Sequence, residues 1–195
     1  MMGILTMDIE NQILAREILT CGINTSDSVV HFGSGYKELM LYNYLLHLNS
    51  QNLIGDISLQ YTSVDPEESV NQSIIDLGDT KSFGVKIETH TQSTQEFLDE
   101  NGNTYDWSVI TGLFDKNLYG DKQFQFLDRI IDSCFNISNQ GVVFTFDVSK
   151  ENDDTYTVRH IISYIESKFK RYRINKINEK FYVMCIYRHF YSSTN

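Results

Sequence analysis

Apolar residues recur along this sequence in two rhythms, a helical spacing of three and four and a strand-like alternation, and the two take turns. Asp8 stands ahead of Ile9, Ile13, Leu14, Ile18 and Leu19, which share one helical face, and Gly22 is a natural stop. Val29 and Val30 lead into His31 and Phe32 as the end of a buried strand. Gly33-Ser34-Gly35 then makes a tight turn, and Tyr36 to Leu48 carries Leu39, Met40, Tyr42 and Leu46 in helical rhythm. Ile57, Leu59, Tyr61 and Ser63-Val64 alternate into a second strand ending at Asp65. Pro66, Glu67 and Glu68 suit the first turn of a helix whose stripe is Val70, Ile74 and Leu77.

The alternation continues downstream. Phe83 to Thr89 reads as a third strand, Thr94 as the cap of a short helix, and Tyr105 to Thr111 as a fourth strand with Gly112 turning the chain away. Asp121 opens a helix through Phe124, Leu127, Ile131 and Cys134. Gly141 to Val148 is apolar almost throughout, as a central parallel strand should be. Asp154 opens a last helix with Val158, Ile161, Ile165 and Phe169. Two strands follow, Arg171 to Ile177 and Phe181 to Arg188, joined only by Asn178-Glu179-Lys180, a link so short that they must run antiparallel. The pattern predicts an α/β fold: a three-layer αβα sandwich, mostly parallel and seven-stranded, with an antiparallel C-terminal β-hairpin. One domain over residues 1–195 is expected, with 1–26 as a helical segment ahead of the core.

Charge narrows the partners. The net charge of −10 argues against sequence-independent binding to nucleic acid. Residues 1–150 hold 8 Lys/Arg against 21 Asp/Glu, whereas 151–195 hold 8 against 5. The basic cluster Lys168, Lys170, Arg171, Arg173 and Lys176 reads first as the solvated flank of a helix and a strand. No run approaches the roughly 20 apolar residues of a membrane span, and the N-terminus lacks the pattern of a signal peptide. Cys21, Cys134 and Cys185 form no C-x-x-C pair, which fits reduced, buried thiols and a cytoplasmic setting. His31, His47, His90, His160 and His189 show no metal-ligand spacing, so no metal is expected.

Strand, glycine turn and helix bring backbone N–H groups up to a polar ligand. Three common readings of such a turn fail here. Glu38 stands where a dinucleotide fingerprint needs its third glycine, no G-K-[ST] marks a phosphate loop, and no G-x-S-x-G elbow is present. The order and placement of the remaining signals, from about Asp27 to Arg188, resemble the class I S-adenosylmethionine-dependent methyltransferases. His31-Phe32-Gly33-Ser34-Gly35 occupies the place of that family's glycine-rich motif, and Asp65 ends the second strand where the family carries an acid for the ribose hydroxyls. Thr91, Gln92 and Ser93 fall where members contact adenine, and Tyr105 to Gly112 resembles the fourth-strand motif lining the donor pocket. The final hairpin resembles the family's reversed seventh strand, which inserts between the fifth and sixth. One position departs: the family's acid two residues before the first glycine is replaced by His31.

The resemblance implies S-adenosylmethionine as cofactor, held by His31, Gly33, Ser34, Gly35, Asp65, Gln92, Ser93, Thr111 and Gly112. It names no catalytic residue. Asp115 and Asp147, with Tyr119, follow the fourth and fifth strands, where an acceptor would approach, and the two acids are the candidates for a general base. The chain reads T-G-L-F after the fourth strand, not N-P-P-Y, which argues against the exocyclic amines of nucleic-acid bases and against a glutamine amide as acceptor. The expectation is a methyltransferase acting on a small molecule or an exposed macromolecular group. The alternatives are a binding protein that kept the fold without the chemistry, and an aminopropyl-transferring synthase resembling nicotianamine synthase. The final strands could also pair across a two-fold axis to form a homodimer.

Overall fold

The structure is a computed structural model and describes residues 8–50, 58–79, 85–114, 123–147 and 158–188. Seven strands form one sheet: β1 (Ser28–Phe32), β2 (Gln60–Val64), β3 (Lys86–His90), β4 (Tyr105–Ile110), β5 (Ser138–Asp147), β6 (Tyr172–Lys176) and β7 (Phe181–Tyr187). Their order is β3-β2-β1-β4-β5-β7-β6. Neighbours from β3 to β5 are parallel, while β7 runs antiparallel to both β5 and β6. The reversed strand thus lies between the fifth and sixth, as the resemblance implies. Helices α1 (Ile9–Leu19), α2 (Tyr36–Ser50), α3 (Glu68–Asp79), α4 (Thr94–Glu100), α5 (Gln123–Ile137) and α6 (Val158–Lys168) complete the described elements.

Alternation along the strands divides the core into two layers. Val29, Tyr61, Val109, Val143 and Cys185 pack with Leu14, Ile18, Met40, Leu45 and Ile74 from α1, α2 and α3. Val30, Phe32, Ile110, Val142, Phe144 and Met184 pack with Phe97, Ile131, Ile161 and Ile165 from α4, α5 and α6. Side chains removed this fully from water each contribute about 1.5–3 kcal/mol. Trp107 is wholly buried, and its indole N–H donates to Asp27 Oδ2 at 3.1 Å, which satisfies the one polar group the ring carries. Beside it, Gly141 must be glycine, because a Cβ there would lie 2.3 Å from the Ile186 carbonyl oxygen and 2.9 Å from the Trp107 ring.

Local chemistry sets the starts of α1 and α4. Asp8 Oδ1 accepts the Glu10 amide at 3.0 Å, the cap expected of it. The cap of α4 is Ser93, one residue earlier than the sequence reading: Ser93 and Glu96 exchange side-chain-to-backbone bonds in a capping box. The expected caps Asp121 and Asp154 lie outside the described residues. The basic C-terminal cluster is largely paired. Lys168 bridges Asp128 and Asp132, Arg173 meets Glu17, and Lys176 meets Glu179. No helix among the described residues is long and apolar enough to cross a membrane, and these residues contain no group of three or more candidate metal ligands.

Candidate functional site

From β1 the chain moves outward to β2 and β3, then returns to place β4 on the other side of β1. The strand order therefore reverses between β1 and β4. In open parallel sheets the carboxyl-edge crevice at such a reversal is where ligands bind. The turns that meet there are Gly33–Gly35 after β1 and Thr111–Phe114 after β4.

Gly33 adopts φ +70°, and a Cβ on it would stand 2.1 Å from the Thr111 carbonyl oxygen. Its amide donates to the Val64 carbonyl at 3.1 Å, and the Thr111 amide donates to the Phe32 carbonyl at 3.0 Å. Glycine is required here by both conformation and contact. Gly35 is confined differently. Its amide donates to Asp65 Oδ2 at 3.0 Å, and a Cβ would meet Val70 Cγ2 at 2.6 Å. Asp65 Oδ1 takes the Glu67 amide at 3.0 Å, so this buried carboxylate joins the glycine turn to the start of α3. Each oxygen of an ionised carboxylate retains capacity to accept a further bond.

His31 is buried, and both ring nitrogens are engaged. Thr111 Oγ1 donates its proton to the Gly33 carbonyl at 2.8 Å, so it can only accept from His31 Nε2 at 2.7 Å. The ring is therefore the Nε2–H tautomer, and Nδ1 accepts from the Tyr61 hydroxyl at 2.5 Å. Burial pushes the His31 pKa down to about 3, which keeps the ring neutral. Burial first, then the nearby Tyr42 and Asp65, holds the Tyr61 phenol well above its ordinary pKa, so it remains a donor. The result is a directed chain, Tyr61 to His31 to Thr111 to the Gly33 carbonyl, that orients the turn from beneath.

A second buried network holds the turn from the side. The Ser34 hydroxyl meets Ser63 Oγ at 2.7 Å, and Ser63 donates to Asn71 Oδ1 at 2.7 Å, which leaves Ser34 as the donor in the first bond. Asn71 Nδ2 lies 3.1 Å from each of the Asp65 carbonyl, the His90 carbonyl and Thr91 Oγ1. One amide thus ties the ends of β2 and β3 to the glycine turn. Replacing Asn71 with alanine is expected to lower stability by about 2 kcal/mol, because a buried serine loses its acceptor and a buried carbonyl its donor. Urea unfolding would show this as a lower midpoint with an unchanged slope.

His31, Ser34 and Thr111 therefore direct their polar hydrogens into the protein, to Thr111, Ser63 and the Gly33 carbonyl, while the Ser93 hydroxyl is engaged in its exposed capping bond to Glu96. Gly33, Gly35 and Asp65 meet at the switch point. Gly112, at φ +71°, follows Thr111, and Gln92 lies half-buried in the loop after β3. Asp147 ends β5 opposite Phe181. Asp115 and Tyr119 lie outside the described residues. Asn71, Ser63 and Tyr61 were missed by the sequence reading. A cavity of about 270 Å³ lies toward the amino ends of the strands instead, among Leu19, Ile23, Tyr44, Leu45, Leu48 and Leu59.

No protein-family model matches the sequence, and no curated protein matches it. Solved structures do match in three dimensions. The magnesium protoporphyrin IX methyltransferase of Synechocystis PCC 6803, solved with bound S-adenosylmethionine, superposes with TM-score 0.60 at 12% identity, covering 92% of this chain and 79% of that one. A methyltransferase from Pyrococcus furiosus gives 0.59 at 11% identity, covering 92% and 83%. A possible exported protein of Bordetella parapertussis gives 0.66 at 13% identity, covering 91% and 67%. The strand order, the reversed β7 and these superpositions agree: the chain has the class I S-adenosylmethionine-dependent methyltransferase-like fold.

Proposed function

We propose that this chain binds S-adenosylmethionine at the switch point and transfers its methyl group to an acceptor approaching the carboxyl edge of the sheet. The observation that carries this reading is Asp65, a buried carboxylate held at the end of β2 by the amides of Gly35 and Glu67. Its remaining acceptor capacity suits the two hydroxyls of a ribose. The residues present fit the cofactor in this respect, and the small glycines let backbone approach a nucleoside closely. When bound, the sulfonium supplies an activated methyl group for in-line displacement. The chain's part is then to align donor and acceptor and to exclude water. Gln92, in the loop after β3, is the candidate adenine contact, and Asp147 a candidate base if the acceptor must lose a proton.

Titration calorimetry with S-adenosylmethionine and with its demethylated product tests this directly. Micromolar binding of both is expected, with an Asp65→Asn variant weakened at least about tenfold. Absence of heat at millimolar ligand would leave the second reading, a binding protein that retains the fold. That reading is favoured by one observation, the inward direction of the polar hydrogens of His31, Ser34 and Thr111. Should the donor bind, analysis of its products separates methyl from aminopropyl transfer.

A further inference from the structure

We propose that Cys21 and Cys185 form a redox modification site, a thiol pair that hydrogen peroxide converts to an intramolecular disulfide joining the end of α1 to β7. The two residues are far apart in sequence but share one apolar layer of the core. Cys21 sits in the turn that follows α1 and is 4% exposed, whereas Cys185 is wholly buried in the middle of β7. Three contacts bring their surroundings together. Arg173 of β6 lies opposite Cys185 in the strand register, and its guanidinium donates to the carbonyl of Thr20, the residue before Cys21, at 3.1 Å. Asn175, two residues on, donates to Glu17 Oε2 at 2.9 Å, while the Glu17 carbonyl accepts the Cys21 thiol at 3.4 Å. Trp107 closes the site, its ring against Gly22 and edge-on to Tyr187 at 6.0 Å. Within this enclosure burial raises the Cys185 pKa, and Cys21 is a near enough neighbour to help push it up.

The bond brings the two sulfurs to about 2 Å and requires their Cα atoms to lie within about 7 Å of each other. Cys185 is the poorer first nucleophile, since burial and then the neighbouring Cys21 push its pKa far up. Cys21, which retains some exposure, reacts first. Its sulfur attacks one peroxide oxygen, the S–O bond forms as the O–O bond breaks, and the departing hydroxide leaves as water with the thiol proton. The sulfur of Cys185 then attacks Cys21, the S–O bond breaks, and a second water leaves with the Cys185 proton. Two thiols and one peroxide give one disulfide and two waters. The third cysteine provides an internal control. Cys134 is buried in the opposite core layer.

The test uses the full chain, folded, treated with hydrogen peroxide and then alkylated under denaturing conditions. The expected product is monomeric in covalent terms, two hydrogens lighter than the reduced chain, with one alkylated thiol and a non-reduced peptide linking Cys21 to Cys185. Cys134→Ser should give the same link, Cys21→Ser should give none, and dithiothreitol should reverse it. Three alkylatable thiols after treatment, a bond that includes Cys134, or a link only between chains would each overturn the proposal. Peptide mapping of the unaltered chain decides the matter even if Cys21→Ser folds poorly.

Discussion

Replacing Gly33 with alanine is expected to destabilise the fold by about 4 kcal/mol, a large share of the roughly 5–15 kcal/mol that holds a typical domain together. A left-handed conformation costs an L-residue about 1–2 kcal/mol. The added methyl would also stand 2.1 Å from the Thr111 carbonyl oxygen, and neither partner in that clash is a rotatable side chain. Relief requires β4 to move away from β1, which breaks the bond from the Thr111 hydroxyl to Gly33 and strains the one from its amide to Phe32. Gly35→Ala makes the comparison sharp. There the obstruction is Val70 Cγ2 at 2.6 Å, the end of a side chain, and Gly35 has no positive φ. Gly35→Ala should therefore be the milder change and should be relieved by Val70→Ala, whereas no single side-chain truncation should rescue Gly33→Ala. Urea unfolding of these variants measures the difference. A Gly33→Ala chain within about 1 kcal/mol of the parent would mean that the turn is not welded to β4 as described.

The contrast between those glycines marks how far the sequence could be read. Both were legible as a tight turn after an apolar strand, because G-x-G between two periodicities has few other uses. What fills the space beside each was not, since Thr111 and Val70 reach the turn through strand pairing and helix docking over long separations. The same boundary runs through the rest of the site. Asp65 was legible as a carboxylate at a strand end, and its bond to the Gly35 amide places it beside the turn. Tyr61 was read as one more apolar position in an alternating strand, because nothing local shows that its hydroxyl meets an imidazole from the neighbouring strand. Asn71 did leave a signal. It stands three residues before Ile74, on the buried face of α3, where a polar side chain has to find partners. Ser93 left one as well, in the spacing Ser93 to Glu96 of a capping box. The seven strands were legible because alternation and short apolar runs are properties of the segment itself. The place of β7 between β5 and β6 came from the family resemblance, not from any residue within the strand.

The second large effect is a pH dependence carried by His31 alone. Its pKa falls from an ordinary 6.5 to about 3 on burial, so between those values the unfolded chain binds a proton that the folded chain does not. Stability must then fall as pH drops through 6.5, at up to about 1.4 kcal/mol per pH unit, and the loss ends only below the folded value. Integrated from pH 7, the share belonging to His31 is about 2 kcal/mol at pH 5 and about 4 kcal/mol at pH 3. His31→Gln keeps one donor and one acceptor between Tyr61 and Thr111 but cannot titrate. Its stability at pH 7 should be lower than that of the parent, yet it should lose about 2 kcal/mol less on going to pH 5. Contributions from groups common to both proteins cancel in the difference. Parallel curves for parent and variant between pH 7 and 5 would show that His31 can be protonated where it sits, and with that the directed hydrogen-bond chain to the Gly33 carbonyl would be lost. If the curves diverge as expected, the residue in the family's acidic position is a neutral support for the glycine turn. Any recognition of a charged ligand group would then have to come from carboxylates elsewhere along the edge, Asp65 first among them.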